Sequence, residues 1–312
     1  GGELTINGGR YTANMGNGIL VQEGKATVEN GTFIGADAYT PGKEDSEANA
    51  GPAASYAFKL YGGTLIVNGG TFTDQETTGT GSRYAGSGAF VMGGASQAQV
   101  TVNAGRFNVR GTAAFAVYSN ASVTFGAESD DSDEDIQLSA ESAAITVEDT
   151  NGSDNSVVNI YSGTYWCNSP KSEGGSDGIF YGEGTTKLNI HGGVFSGVGH
   201  PDSGGTTGRS GLYITEDPNS NIQLSGGTFI GGAATQDGTS GYRYWYNGGA
   251  ISVEEGNANN KNFRFDDILE GDHHAYTDSN ERVEEDGGEW WTAGERPGIG
   301  QTVARYTRVE IR

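Results

Sequence analysis

An eight-residue phrase recurs seven times along this chain, and it restricts the fold more than any other feature. It reads LTINGGRY (4–11), ATVENGTF (26–33), LIVNGGTF (65–72), VTVNAGRF (100–107), VNIYSGTY (158–165), LNIHGGVF (188–195) and IQLSGGTF (222–229). The pattern is apolar-x-apolar-x-Gly-Gly-x-aromatic. Its aromatic positions are Tyr11, Phe33, Phe72, Phe107, Tyr165, Phe195 and Phe229, with gaps of 22, 39, 35, 58, 30 and 34 residues. The gap of 58 is two periods of 29, so one degenerate copy is expected inside it. A period of roughly 30 residues built on short strands means a stacked array of rungs.

A second phrase precedes the first in each period: GILV (18–21), AFKL (57–60), AFVM (89–92), AFAV (114–117), AITV (144–147), GIFY (178–181), GLYI (211–214) and AISV (250–253). Each period is therefore a strand, a turn, a second strand, a Gly-rich corner and a short third strand opening with the aromatic. A longer connection then leads to the next period. Apolar residues alternate at period 2, as in Leu4 and Ile6, Leu65 and Val67, or Leu188 and Ile190. No stretch shows helical spacing over ten or more residues, so essentially no helix is expected.

These features predict an all-β fold: a single-stranded parallel β-helix, about eight rungs of three short strands, closed by a C-terminal cap. Rungs about 4.8 Å apart give a body roughly 40 Å long, and the crossover rule favours the right-handed form. A sharp bend between strands needs positive φ, which glycine adopts without a Cβ clash. Asn7, Asn30, Asn68 and Asn103 precede the corner glycines, and stacked asparagines can bond to one another as a ladder. The aromatics read as an internal stack, because the interior must be filled.

The repeat places the β-helix at 1–256 and leaves 257–312 as the cap or as final irregular rungs. Open sheet ends invite association, and Trp290 and Trp291 are the candidates to cover the last rung. The net charge of −22 argues against nucleic acid and anionic membranes as partners. No apolar run approaches the 18 residues of a membrane span. Gly1 begins inside a repeat, so a segment of a larger protein is expected. The single cysteine, Cys167, excludes an internal disulfide framework, and beside Trp166 it reads as a small packed residue rather than a nucleophile. His273 and His274 are adjacent on an extended segment, which turns their side chains to opposite faces and disfavours a shared metal.

The repeats resemble the parallel β-helix proteins of the pectate-lyase-like superfamily, in particular the Gly-Gly-Thr-Phe-rich modules of large exported proteins of Gram-positive gut bacteria. The tail DDILEGDHHAYTDSNE (266–281) resembles segments that follow such modules. The resemblance implies an extracellular, secreted or cell-surface location. It spans lyases, glycoside hydrolases and non-catalytic carbohydrate-binding adhesins, so it does not choose a function.

Function is then expected in the segments that interrupt the repeat: 34–55, 73–87, 166–177, 196–210 and 230–248. Insertions at one point of each rung emerge on one face, often the binding face. They carry Tyr39, Tyr84, Trp166, His200, Arg209 and the cluster Tyr242, Arg243, Tyr244, Trp245 and Tyr246. Tyr and Trp suit the apolar face of a sugar and Arg its hydroxyls or carboxylates. Alternatively, the cluster covers the flank of the solenoid. Carboxylates recur after the strand of the second phrase, at Glu148, Glu183, Glu216 and Asp217. In register they would lie about 5 Å apart, the separation of a retaining glycosidase pair. They can equally be a solvated acidic turn or hold Ca²⁺. Asp131, Asp133 and Asp135 of SDDSDED (129–135) are a second Ca²⁺ candidate. The reading adopted is a bacterial surface module binding a mucin-type or plant glycan without catalysis. The alternatives are a glycan-active enzyme built on the late-rung carboxylates, and a structural stalk or filament subunit.

Overall fold

The computed structural model describes residues 2–12, 17–35, 56–74, 88–94, 96–109, 113–128, 135–148, 156–168, 177–182, 186–203, 210–214, 221–232, 235–236, 245–246, 249–254, 273–276, 282–284, 301–303 and 308–311. Of residues 74, 235–236, 245–246, 249, 252–254, 273–276, 282–284 and 301–303 it describes only the backbone.

Three sheets run the length of the molecule, and every turn of the chain gives one strand to each. The first sheet is Glu3–Ile6, Lys25–Val28, Gly63–Val67, Ala98–Val102, Ala121–Phe125, Val157–Ile160, Lys187–Ile190 and Ile222–Leu224, all parallel. The second holds Arg10–Thr12, Thr32–Gly35, Thr71–Asp74, Gly105–Asn108, Ile136–Ala140, Thr164–Cys167, Val194–Ser196 and Gly227–Ile230, again parallel. The third holds Ile19–Val21, Phe58–Leu60, Ala89–Val91, Ala113–Val117, Ala143–Val147, Asp177–Tyr181, Ser210–Ile214 and Gly249–Glu254. This is a parallel β-helix of eight three-stranded rungs. The eight-residue phrase supplies the first strand, the corner and the second strand. The other phrase supplies the third strand.

The degenerate copy is the fifth rung. Its strands are Ala121–Phe125 and Ile136–Ala140, and Leu138 stands where its neighbours have Phe107 and Tyr165. The corner glycines of the other seven rungs have φ between 99° and 141°. Ile136 takes that place in the fifth rung, opposite Gly105. Residues 126–135 connect these two strands, and Gly126 at their start has a φ of 74°.

Inside, aromatic side chains stack at the rung spacing. Tyr11 to Phe33, Phe33 to Phe72 and Phe72 to Phe107 are 5.0, 4.9 and 4.2 Å apart between centroids. Tyr165, Phe195 and Phe229 continue at 4.9 and 5.0 Å. Across the leucine rung, Phe115 and Phe125 from the other two sheets bridge Phe107 to Tyr165 by edge contacts of 5.7, 5.0 and 5.8 Å. Tyrosine is tolerated in this dry stack because its hydroxyl reaches back to the corner: Tyr165 donates to the Ser162 carbonyl at 2.7 Å.

The asparagine ladder exists, with one member corrected. Strand register places Glu29, not Asn30, in line with Asn7, Asn68 and Asn103. Asn103 Nδ2 donates to Asn68 Oδ1 at 2.7 Å, and Asn68 Nδ2 donates to Glu29 Oε2 at 2.9 Å. Asn30 is instead spent locally, its Oδ1 accepting from Gly31 N–H at 2.7 Å. The same corner line passes through Tyr161, His191 and Ser225. There Tyr161 stacks on the His191 ring at 4.7 Å, and His191 Nδ1 lies 2.8 Å from Ser225 Oγ.

The two ends differ. Beyond the eighth rung, Arg308–Ile311 pairs antiparallel with Gly227–Ile230 and His273–Tyr276 pairs antiparallel with Arg308–Ile311. Gln301–Val303 pairs antiparallel with Gly249–Glu254. Val309 and Ile311 join the core. Trp290 and Trp291 lie outside the described residues. At the other end the first rung is the edge of all three sheets, and its inward-facing Leu4 and Tyr11 are 50% and 36% exposed.

Candidate functional site

The five variable segments all leave a strand of the second sheet and enter one of the third. Most of their residues lie outside the described set, Tyr39, Tyr84, Arg209, Tyr242, Arg243 and Tyr244 among them. Trp245–Tyr246 forms a short strand antiparallel to Thr235–Gln236. Two of the named residues do meet: Trp166, half-buried on the outer side of the second sheet, packs its ring against His200 at 4.8 Å, edge to face. His200 Nδ1 accepts from the Asp202 N–H at 3.3 Å. Cys167 is buried and its Sγ donates to the Gly197 carbonyl at 3.3 Å, a packed structural thiol.

Of the four proposed catalytic carboxylates, Glu183, Glu216 and Asp217 lie outside the described residues. Glu148 is described. Its N–H bonds the Val117 carbonyl, and one rung further the Gly182 N–H bonds the Val147 carbonyl, so Gly182 rather than Glu183 is the register partner of Glu148. On the other side the partner is Tyr118, whose hydroxyl hydrogen-bonds Glu148. Asp131 and Asp133 also lie outside the described residues, and Asp135 is exposed at the end of the fifth-rung corner. Among the described residues no group of three or more His, Cys, Asp or Glu side chains could hold a metal.

The outer faces of the sheets show where side-chain chemistry concentrates. On the first sheet the outward line is Thr5, Thr27, Ile66, Thr101, Thr124, Asn159, Asn189 and Gln223. Asn189 Nδ2 donates to Asn159 Oδ1 there at 2.9 Å. On the third sheet the outward line is Leu20, Lys59, Phe90, Ala116, Thr146, Phe180 and Tyr213. Tyr56, Tyr61, Tyr118 and Glu148 flank it. Polar residues suffice for a solvated sheet face, so this aromatic one needs a separate reason.

The third-sheet aromatics form a series. Tyr56 lies 4.8 Å from Phe90, and Tyr118 stacks on Phe90 from the next rung at 4.8 Å. The Lys59 ammonium sits 5.1, 4.7 and 5.0 Å from the Tyr56, Tyr61 and Phe90 centroids, attracted by the negative faces of three rings. Farther along, Phe180 stacks on Tyr213 at 5.8 Å. Between the two groups the fourth and fifth rungs carry only Ala116 and Thr146 on this line. Burial pushes the Tyr56 phenol up to about 12, with Tyr118 and Tyr61 adding to the shift. Burial first, and then the neighbouring Glu148 carboxylate, raises the Tyr118 phenol.

This face is hidden in the sequence by a slip of one residue. Aligned as AFVM (89–92), the third-sheet phrase puts Phe90 beside Phe58 and Phe115, which point inward. Register aligns Gly88–Val91 instead, with Phe90 opposite Lys59 and Ala116, and so turns Phe90 outward. A shift of one residue moves every side chain of a strand to the other face. The glycine at 88 is the signal that was available, because Gly18, Gly178 and Gly211 open the same phrase.

Comparison of the chain with protein-family models, with curated proteins and with solved structures finds no match.

Proposed function

We propose that this β-helix is a non-catalytic carbohydrate-binding module of a bacterial protein exported to the cell surface or secreted, with its ligand held on the outer face of the third sheet. One observation carries the reading: of the outer faces of the first and third sheets, built by the same repeat, one is threonine and side-chain amides apart from Ile66, and the other is a half-buried aromatic series with a lysine in it. Aromatic rings offer apolar surface to the C–H faces of a sugar, while Lys59, Glu148 and the phenols of Tyr61 and Tyr118 offer hydrogen bonds to its hydroxyls. The Trp166–His200 pair is a second place where the same chemistry meets the surface. A Ca²⁺ ion, if bound, belongs at the acidic corner ending in Asp135. Hydrolysis would need two facing carboxylates, and Glu148 has Tyr118 and Gly182 as register neighbours.

The test is a panel of mucin, milk and plant glycans offered with Ca²⁺ or with EDTA, scored for retained ligand and for released product. Retained intact glycan supports the proposal, and loss of retention in EDTA adds the calcium ion. Released fragments replace it with an enzyme, and silence across the panel replaces it with a structural module.

A further inference from the structure

The exposed large hydrophobic residues among those described are Leu4, Tyr11 and Leu20, and all three belong to the first rung. Leu4 and Tyr11 face inward, and their register partners one rung on, Ala26 and Phe33, are buried. Tyr11 stacks on Phe33 at 5.0 Å, and no further rung covers its other face. The backbone is uncovered as well. The Gly2 and Ile6 carbonyls accept from the Lys25 and Glu29 N–H groups, so by alternation Glu3 and Thr5 turn their own N–H and C=O to the free edge. The Gly9 carbonyl accepts from the Thr32 N–H, which does the same for Arg10 and Thr12. A free strand edge is a template for another chain, and an apolar patch confined to it marks a contact face. We propose that the first rung is the contact face of a head-to-head dimer, in which two copies of this chain meet about a two-fold axis perpendicular to the solenoid. The proposal is independent of the carbohydrate-binding reading.

Charge selects a second copy as the occupant. The stretch from Gly1 to Lys25 carries Glu3, Arg10, Glu23 and Lys25, two acids and two bases, in a chain of net charge −22. The rim is therefore neutral and mixed in sign, and the remainder of the chain holds all the excess negative charge. Two such rims can meet with acid opposite base. Repulsion between the two acidic bodies is screened beyond a Debye length of about 8 Å at physiological ionic strength. The far end of the molecule selects the orientation. There Arg308–Ile311 and Gln301–Val303 already pair with the eighth-rung strands of the second and third sheets. Among the described strands, a head-to-tail stack would have only the edge of Ile222–Leu224 to join. A two-fold axis instead brings the same face of each copy together, with the meeting strands antiparallel. These sheets accept that sense: Arg308–Ile311 lies antiparallel on Gly227–Ile230, and its Val309 and Ile311 are buried in the core. A cavity of about 950 Å³ opens at the rim beside Leu4, Leu20 and Tyr61, with Glu3, Glu23 and Lys25 as polar walls. The partner's rim roofs it, and water fills it as in other interfaces.

The experiment is sedimentation equilibrium of the full chain over a range of concentrations at physiological ionic strength. It compares the native protein with Leu4→Asp and Phe90→Ala, each checked for the native circular dichroism spectrum. The native chain should show a reversible equilibrium between monomer and dimer. Leu4→Asp places a charge in the apolar rim and should weaken the dimer at least about tenfold. Phe90→Ala, on the outer face of the third sheet, should leave it unchanged. Amide exchange in the native protein needs no variant and covers the case in which Leu4→Asp disturbs folding. Exchange at Glu3, Thr5, Arg10 and Thr12 should slow as protein concentration rises. A monomer at every concentration overturns the proposal, and so do species that grow beyond the dimer, which would mean an open stack. Loss of the dimer in Phe90→Ala but not in Leu4→Asp moves the contact to the third sheet and overturns it too. A monomer that takes up a synthetic peptide of residues 4–11 gives the rim to a strand of another polypeptide and overturns the second copy as its occupant.

Discussion

Two aromatic series run along this molecule, one inside the second sheet and one outside the third, and both falter at the fifth rung. Inside, Leu138 replaces the aromatic, and Phe115 and Phe125 lean in from the other two sheets to close the space. Outside, the line carries Ala116 and Thr146 on the fourth and fifth rungs, and no third-sheet aromatic takes their place. The difference is one of boundary. A void in a core forfeits contacts on every side, so neighbours fill it. A void on a surface is filled by water and can persist. The inner series is written into the repeat by its phrase. The outer one uses positions that the repeat leaves unspecified.

The largest effect should come from the inner series. Phe107→Ala removes a buried ring that contacts Phe72 and Phe115, and should cost about 3–5 kcal/mol in denaturant unfolding. Phe90→Ala removes a half-buried ring from the outer series. Its stability cost should be well below that, with about 0.5–1.5 kcal/mol from the lost ring contacts, while glycan retention falls sharply. If the two substitutions cost the same, the outer series is a satellite core and the contrast between the faces collapses.

The fold was legible because its determinants are local and repeated. The aromatic of each phrase, the corner glycines and the alternation around Leu65 or Leu188 each fix a strand or a bend, and parallel stacking follows. The outer aromatic face was not legible, for two physical reasons. Repetition marks what every rung shares, whereas Phe90, Tyr118, Thr146 and Phe180 differ from rung to rung. Facing is also a matter of parity: one residue of misalignment at AFVM exchanges inside for outside, and no apolar count detects the exchange when Phe58 and Phe115 on neighbouring rungs are also aromatic. The series of corner asparagines failed in the same way at Asn30, where Glu29 holds the ladder position. Glu148 was singled out for a catalytic pair, and register gives it Gly182 as its neighbour.

The polar ladder offers a finer test of what surface lines contribute. Asn103→Ala removes the 2.7 Å bond to Asn68 Oδ1 at an exposed corner. Because water replaces that bond, the loss should be near the low end of 0.5–1.5 kcal/mol, about 0.5. The backbone bond from Asn103 N–H to the Val67 carbonyl should survive, so amide exchange there should rise only slightly. A loss comparable with that of Phe107→Ala would mean that the corners, not the stack, hold the rungs in register.

The smallest effect is a titration, and it reads the packing of the outer series directly. The Tyr56 phenol ionises at about 12 instead of 10.0, first because the ring is buried and then because ionised Tyr118 and Tyr61 would repel it. The folded protein therefore keeps a proton that the unfolded chain gives up. The resulting stabilisation is complete below pH 10.0 and is lost as pH climbs through about 12. Absorbance titration should show a late phenolate step that disappears in Tyr56→Phe, and the alkaline fall in stability should become shallower in that variant. A step at the ordinary value would place Tyr56 in water and detach it from Phe90, which would leave Lys59 without one of its three rings and shorten the series at the end nearest the first rung.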